Sequence, residues 1–258
     1  MSRELAVVTG ASNGIGLEFA RLLAASGYDL VLVARSADKL GLIAAELRGA
    51  YAVDARFICA DLGVAGSAGS IVAQVPECDV LINNAGFANN GRFDMLPSDA
   101  IAQEVLLDVV TLTELTRAYL PGMRARRRGR MLNVASTAAF LPGPFMAVYY
   151  ASKAYVLSFS EAIAEELRGS GVTMTVLCPG ATATGFIDRA RMHATMLNRL
   201  PLADARSVAT AGFRGMLRGK TIVVPGISNK LVAVSPKFTP RRLLLWLSRK
   251  AVEQRHPA

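Results

Sequence analysis

The chain has 258 residues, 52% of them hydrophobic, and a net charge of +9 from 29 lysines and arginines against 20 aspartates and glutamates. This supplies a large core for one α/β domain or two small ones, and no apolar run approaches the ~18 residues of a membrane span. The strand-like run at residues 5–8 begins too early for a signal peptide to precede it, so a cytoplasmic location is expected.

Residues 5–8 read as the first strand. Thr9-Gly10-Ala11-Ser12-Asn13-Gly14-Ile15-Gly16 follows as a glycine turn, after which Leu17, Ala20, Leu23 and Ala24 recur at helical spacing. Strand, glycine turn and helix in this order aim backbone N–H groups and a helix N-terminus at one point, as a pyrophosphate requires. Gly27 stops the helix, and the second strand, 30–33, ends at Ala34-Arg35-Ser36. In dinucleotide sites an acid in this region binds the ribose diol, whereas an arginine suits a 2′-phosphate. Arg35 therefore favours NADP(H) over NAD(H), with Ser12 and Ser36 as further hydroxyl contacts.

A helix over 38–48 leads to a third strand, 56–60, closing on Asp61 and Leu62. The small residues of 63–73 make a weak helix packed closely on the sheet. The fourth strand, 79–82, ends in Asn83-Asn84-Ala85-Gly86, where small and amide residues can approach a ligand closely and hydrogen-bond neighbouring strands, or simply turn the chain. A long helix over 98–123 follows, with Ser98 as its N-cap. Then come a strand over 129–135, a helix over 149–168 with Phe159, Ile163 and Leu167 at every fourth position, and strands at 172–177 and 219–224. Alternating strands and helices predict a parallel sheet covered on both faces and doubly wound by right-handed crossovers. With no internal repeat or linker, residues 1–258 are expected to form one domain.

Cys59, Cys78 and Cys178 each lie in or beside an apolar run, with no Cys-x-x-Cys pair and only His193 and His256 as imidazoles. Buried reduced thiols are expected rather than disulfides or a metal site. The densest basic run, 124–130, has no aromatic residue to stack on bases, which favours a solvated helix end over a nucleic-acid surface.

After the fifth strand, Ser136, Tyr149 and Lys153 stand at spacings that suit proton transfer. Of the adjacent Tyr149 and Tyr150, only Tyr149 is four residues before Lys153 and shares its helical face. The ammonium is expected to lower the phenol from its ordinary pKa of about 10, making Tyr149 a general acid/base.

With Thr9-Gly10-x-x-x-Gly14-x-Gly16, Asn83-Asn84-Ala85-Gly86, Ser136, Tyr149-x-x-x-Lys153 and Pro179-Gly180 in order, the chain resembles the short-chain dehydrogenase/reductase family. The resemblance implies a Rossmann-type fold with seven parallel strands, a nicotinamide cofactor, and a homodimer or homotetramer built from the two long helices. It implies that Gly10, Ser12, Asn13, Gly14, Ile15 and Gly16 cradle the pyrophosphate, while Arg35 meets the 2′-phosphate and Asp61 and Leu62 the adenine. Asn83, Ala85 and Gly86 would lie under the cofactor. Lys153 would contact the nicotinamide ribose, Pro179, Gly180, Thr182 and Thr184 would line the nicotinamide, and Ser136 would hold the substrate oxygen. In the reductive direction hydride passes from NADPH to a carbonyl carbon while Tyr149 protonates the oxygen.

Family members usually carry an asparagine where this chain has Asp108. Its backbone carbonyl, which in the family is thought to hold a relay water, is retained, but the amide donor gives way to a negative charge near Lys153. Desolvated, that charge would stabilise the ammonium or take up a proton, so an altered pH profile is expected.

Phe87, Phe93, Phe140, Leu141, Phe145 and Met146 fall beyond strand ends, and 186–200, with Met192, Met196 and Leu197, reads as an apolar lid within 185–218. They point to a hydrophobic, lipid- or steroid-like carbonyl or secondary alcohol as substrate. The competing reading packs them against the lid or a partner subunit. The extension over 228–258 combines cations, leucines and Trp246, which suits an anionic membrane surface and equally a cover for a neighbouring subunit or the substrate cleft. An NADP(H)-dependent carbonyl reductase is the expected function. The rival, motivated by Asp108, is an NADPH-binding sensor or interaction protein with little or no turnover.

Overall fold

The computed structural model describes residues 3–190, 195–196 and 201–253. Apolar runs at β1 (Leu5–Thr9), β2 (Asp29–Ala34) and β4 (Val80–Asn83) are buried on both faces, as strands between two helical layers must be. Val8 and Leu32 point into a core shared with α1 (Gly14–Ala25) and α2 (Ala37–Tyr51). Val7 and Val31 point the other way, into a second core. The remaining strands are β3 (Ala55–Cys59), β5 (Gly129–Val134), β6 (Val172–Leu177) and β7 (Ile222–Val223). All seven pair in parallel in the order β3-β2-β1-β4-β5-β6-β7. The expected single doubly wound α/β domain is the observed one. Strand order reverses between β1 and β4, which opens a crevice at their carboxyl ends.

The second face is covered by α3 (Ser67–Gln74), α4 (Ser98–Val105), α5 (Leu112–Ala125) and α6 (Ala147–Glu166). The chain then runs through the short α7 (Phe186–Arg189), α8 (Ala205–Leu217), which packs on α1, and α9 (Ile227–Val234) and α10 (Arg241–Val252). The long helix expected over 98–123 is interrupted: residues Leu106–Thr111 form a π turn joining α4 to α5. Inserted π turns mark functional positions often enough to be noted, and this one carries Asp108.

Several expectations change. Ser98 is the first helical residue rather than the cap; Pro97 precedes it in extended conformation, with no side-chain capping bond. Cys59 is exposed, because β3 is the edge strand and its outer residues lack a neighbour; its thiol donates to the Arg35 carbonyl at 3.2 Å. Cys78 and Cys178 are buried and unpaired as expected. The weak helix begins only at Ser67, after Gly66 takes a left-handed φ of 80°. The cationic end of α5 is exposed and pairs with acids: Arg126 with Glu77 at 2.9 Å and Arg128 with Asp79 at 3.2 Å. No helix among the described residues is long and apolar enough to cross a membrane.

Candidate active site

The glycine turn is fastened to the crevice by its neighbours. The Thr9 hydroxyl accepts from the backbone N–H groups of Asn84 at 3.0 Å and Ala85 at 3.1 Å, and the Asn84 amide donates to the carbonyls of Thr9 at 2.9 Å and Gly10 at 3.3 Å. Gly10 has a φ of 67°, and a Cβ there would lie 2.7 Å from the Asn84 amide. Gly14 has a φ of 54°, and a Cβ there would lie 2.7 Å from the Thr184 methyl. Asn13 caps α1 in extended conformation with no side-chain bond, and no acid occupies the first turn. Ser12, Asn13, Gly14, Ile15 and Gly16 thus begin a helix whose N-terminal N–H groups are not filled by a capping side chain, an arrangement that fits a pyrophosphate.

At the end of β2, Arg35 is exposed and has no ion pair among the described residues, which leaves it available to an anion. Asp61 accepts from the Gly63 N–H at 2.9 Å. Leu62 turns its side chain into the core and its carbonyl accepts from Thr111 at 2.8 Å, so its backbone N–H is what remains for a base. Asn83 bonds the neighbouring strand, one of the roles expected of it: its buried amide donates to Thr116 at 3.2 Å and to Asn133 at 3.0 Å, and Asn133 continues to Ser160 at 2.9 Å. This is a structural bridge across β4, β5 and α6. The neighbouring Asn84 is the residue that secures the glycine turn. The spacing Asn83-Asn84 alone offered no way to tell them apart.

Ser136 lies two residues past β5 in extended conformation; its hydroxyl accepts from Ala138 N–H at 3.1 Å and donates to Pro179 carbonyl at 3.4 Å. This joins it to the loop after β6, where Thr182 donates to Gly180 carbonyl at 2.9 Å. Tyr149 and Lys153 stand one turn apart on α6, the ammonium 5.4 Å from the phenol ring centroid. Tyr150 is buried beneath Gly143, where any Cβ would strike its ring.

Lys153 does not lower the Tyr149 phenol as expected. Its ammonium pairs with the Asp108 carboxylate at 3.0 Å, both groups being almost wholly buried. Tyr149 keeps part of its surface toward the cleft, but dense packing around it pushes the phenol well above its ordinary pKa. The Ser136 hydroxyl opposes the rise, and the charges of Asp108 and Glu104 add to it. Burial likewise drives Asp108 above the usual carboxylate range, against Lys153 and hydrogen bonds from Phe87 N–H and Ser152, each at 3.3 Å. Gly86 lies over this ion pair; a Cβ there would be 3.0 Å from both Asp108 Oδ1 and Lys153 Nζ.

Around Tyr149 the chain builds an apolar wall. Phe186 of α7 contacts its ring at 5.2 Å between centroids, and Leu141, Phe145 and Met146 join from the loop before α6. Ala251 and Val252 of α10 close the same cluster, and Asn90 donates to the Val252 carbonyl at 3.0 Å. The end of the C-terminal helix therefore lies against the apolar residues around Tyr149, and Leu244 and Ser248 are buried along the same side of it. Phe87 is buried under the Arg189 guanidinium, 4.1 Å from its centroid, and Phe93 is exposed on the surface. Met196 is exposed, while Met192 and Leu197 lie outside the described residues.

The pattern of the short chain dehydrogenase family matches residues 4–194. The chain is similar to a very-long-chain 3-oxoacyl-CoA reductase of Rattus norvegicus, 34% identical over 244 residues, covering 91% of this chain and 76% of the relative. A protein of the same name from Laccaria bicolor is 38% identical over 176 residues, 66% of this chain and 52% of the relative, so the chain spans about half of that longer protein. Among solved structures, a short-chain dehydrogenase from Sphingobium yanoikuyae in complex with NADPH superimposes with a TM-score of 0.83 at 30% identity, covering 91% of this chain and 93% of that one.

Proposed function

Because this chain belongs to the short chain dehydrogenase family, we propose that it is an NADPH-dependent reductase of bulky apolar carbonyls, with 3-oxoacyl thioesters as the first class to test. The observation that carries this reading is Tyr149 flanked by Ser136 and the buried Lys153, facing a wall of Phe145, Phe186 and Val252. Bound NADPH supplies the hydride. The glycine turn and the α1 N-terminus would hold its pyrophosphate, and Arg35 its 2′-phosphate. Ser136 donates a hydrogen bond to the carbonyl oxygen and Tyr149 gives that oxygen its proton, so the negative charge developing there meets two placed donors. Lys153 would hold the ribose with its buried ammonium, and Thr182, Thr184, Pro179 and Gly180 would confine the nicotinamide. The apolar wall excludes water and favours an alkyl chain beside the ketone, in keeping with the names of the rat and Laccaria relatives.

Initial rates with NADPH across 3-oxoacyl thioesters and plain ketones of rising chain length test this. kcat/KM should climb about fourfold per methylene, the worth of ~0.8 kcal/mol of buried CH₂, until the cleft is filled. A preference for short polar carbonyls would overturn the substrate class, and equal rates with NADH would remove the role given to Arg35.

The outer face of the C-terminal helices supports contact with an anionic lipid surface. Nine of the twenty exposed large apolar side chains among the described residues fall between residues 227 and 247, including Ile227, Leu231, Phe238 and Trp246. Lys230, Lys237, Arg241, Arg242, Arg249 and Lys250 border them, and Glu253 is the single acid from 227 to 253. Such a concentration of like charge disfavours pairing with the same face of a second copy and suits anionic headgroups. The full chain should float with phosphatidylserine vesicles and not with phosphatidylcholine vesicles. Trp246→Glu, which alters the outer face and leaves the Val252 contact in place, should cut flotation about tenfold, the effect of ~1.4 kcal/mol. Equal partition of both proteins would end the idea.

A further inference from the structure

Glu104 is fully buried, four residues before Asp108 where α4 enters the π turn. Asn89 grips one of its oxygens, donating from its backbone N–H at 3.1 Å and its amide at 2.6 Å, while Oε1 has no hydrogen-bond partner. The groups that face this carboxyl and Asp108 are Asn89 and Phe87 N–H from the loop after β4, and Ser152, Lys153 and Tyr149 from α6. Lys153 is the one cation among them. If both carboxyls were ionised, the cluster would carry one uncompensated negative charge where Glu104, Asp108 and Lys153 are 0%, 1% and 5% exposed. An unpaired charge is strongly disfavoured when buried, and one bound proton removes it. Asp108 holds its charge better, with the ammonium at 3.0 Å and two further donors; Glu104 has a bare oxygen and no direct cation.

We propose that Glu104 and Asp108 hold one proton between them, seated on Glu104, and that this proton sets the charge behind Lys153 and Tyr149. Glu104 is thus a positioning residue for the proposed reduction; its effect on rate rests on that reading, whereas the shared proton does not. Burial pushes Glu104 up to about 7, with the charge of Asp108 adding to the rise and Asn89 and Lys153 opposing it. When Glu104 ionises, its charge raises the Tyr149 phenol further and makes it a poorer donor. Carbonyl reduction should therefore slow as pH rises through neutrality.

Infrared titration of the full chain without cofactor reads the proton directly. A protonated-carboxyl stretch should be present at about pH 6 and lost by about pH 8. It should be missing in Glu104→Gln, and in Asp108→Asn it should vanish at lower pH because the neighbouring charge is gone. No such band in the native protein, or its persistence in Glu104→Gln, would overturn the proposal. In kinetics, the fall in reduction rate across neutrality should flatten in Glu104→Gln with NADPH affinity unchanged; an unaltered profile would break the link to Tyr149. Should Glu104→Gln not fold, the native titration and Asp108→Asn still decide. Should the native protein reduce no carbonyl, the functional reading fails while the infrared result stands by itself.

Discussion

Tyr149→Phe should lower kcat for carbonyl reduction by about 10²–10⁴-fold, the usual contribution of a placed general acid, while NADPH binding stays within about twofold. The phenol is the group that faces the cleft with Ser136 beside it, and no neighbour can take over. Tyr150 is buried under Gly143, and the aliphatic hydroxyl of Ser136, free to turn from its long 3.4 Å contact with the Pro179 carbonyl toward a substrate oxygen, is a far weaker acid than a phenol. Removing one oxygen leaves the ring contacts to Phe186 and Tyr150 in place, so the fold should be undisturbed. Steady-state rates and a fluorescence titration with NADPH measure the two quantities separately. Binding retained with turnover lost supports the reductase. A native protein that binds NADPH and turns over no carbonyl would instead support the sensor, and turnover retained by the variant would remove Tyr149 from the chemistry.

Lys153→Met should lose about 3–5 kcal/mol of stability near neutral pH, the range found when one partner of a buried ion pair is removed. Methionine fills much of the space, so the loss comes from Asp108, left buried without its ammonium. Burial already holds Asp108 above the usual carboxylate range, and losing Lys153 removes the main opposing influence. A carboxyl whose pKa is higher folded than unfolded binds protons more tightly in the native state. Its stabilising contribution is present below the unfolded value of about 3.9 and disappears as pH rises through the folded value. The variant should therefore be less destabilised in acid than at neutral pH, as urea unfolding at several pH values would reveal. Adding Asp108→Leu should restore much of the stability and none of the activity. A loss independent of pH would mean that packing around Lys153, rather than the charge of Asp108, is responsible.

Much of this site was legible because its signals are local. The glycine turn follows a strand and opens a helix, Gly10 and Gly14 take backbone angles that other residues resist, and Tyr149 and Lys153 share a face by helical spacing alone. Asn83 and Asn84 show where locality ends. They are chemically identical neighbours, yet one bridges Thr116 and Asn133 inside the sheet and the other anchors the glycine turn. Which does which depends on strand register across three chain segments. Glu104 is illegible in the sequence for a related reason. Its one sequence signal was the four-residue interval to Asp108, and its importance comes from Asn89 and α6 closing over it.

By itself the sequence determined the alternation of strands and helices, the glycine turn between β1 and α1, the absence of an acid at Arg35, and the shared helical face of Tyr149 and Lys153. These follow from side-chain periodicity and backbone preference over a few residues. Only the tertiary structure decided the order of the strands about β1, the packing of the end of α10 beside Tyr149, the exposure of Cys59 on an edge strand, and the direction in which Tyr149 is shifted. Desolvation made the difference for the tyrosine. Spacing placed a cation four residues away, but folding paired that cation with Asp108 and packed apolar groups around the phenol, and burial prevailed over proximity.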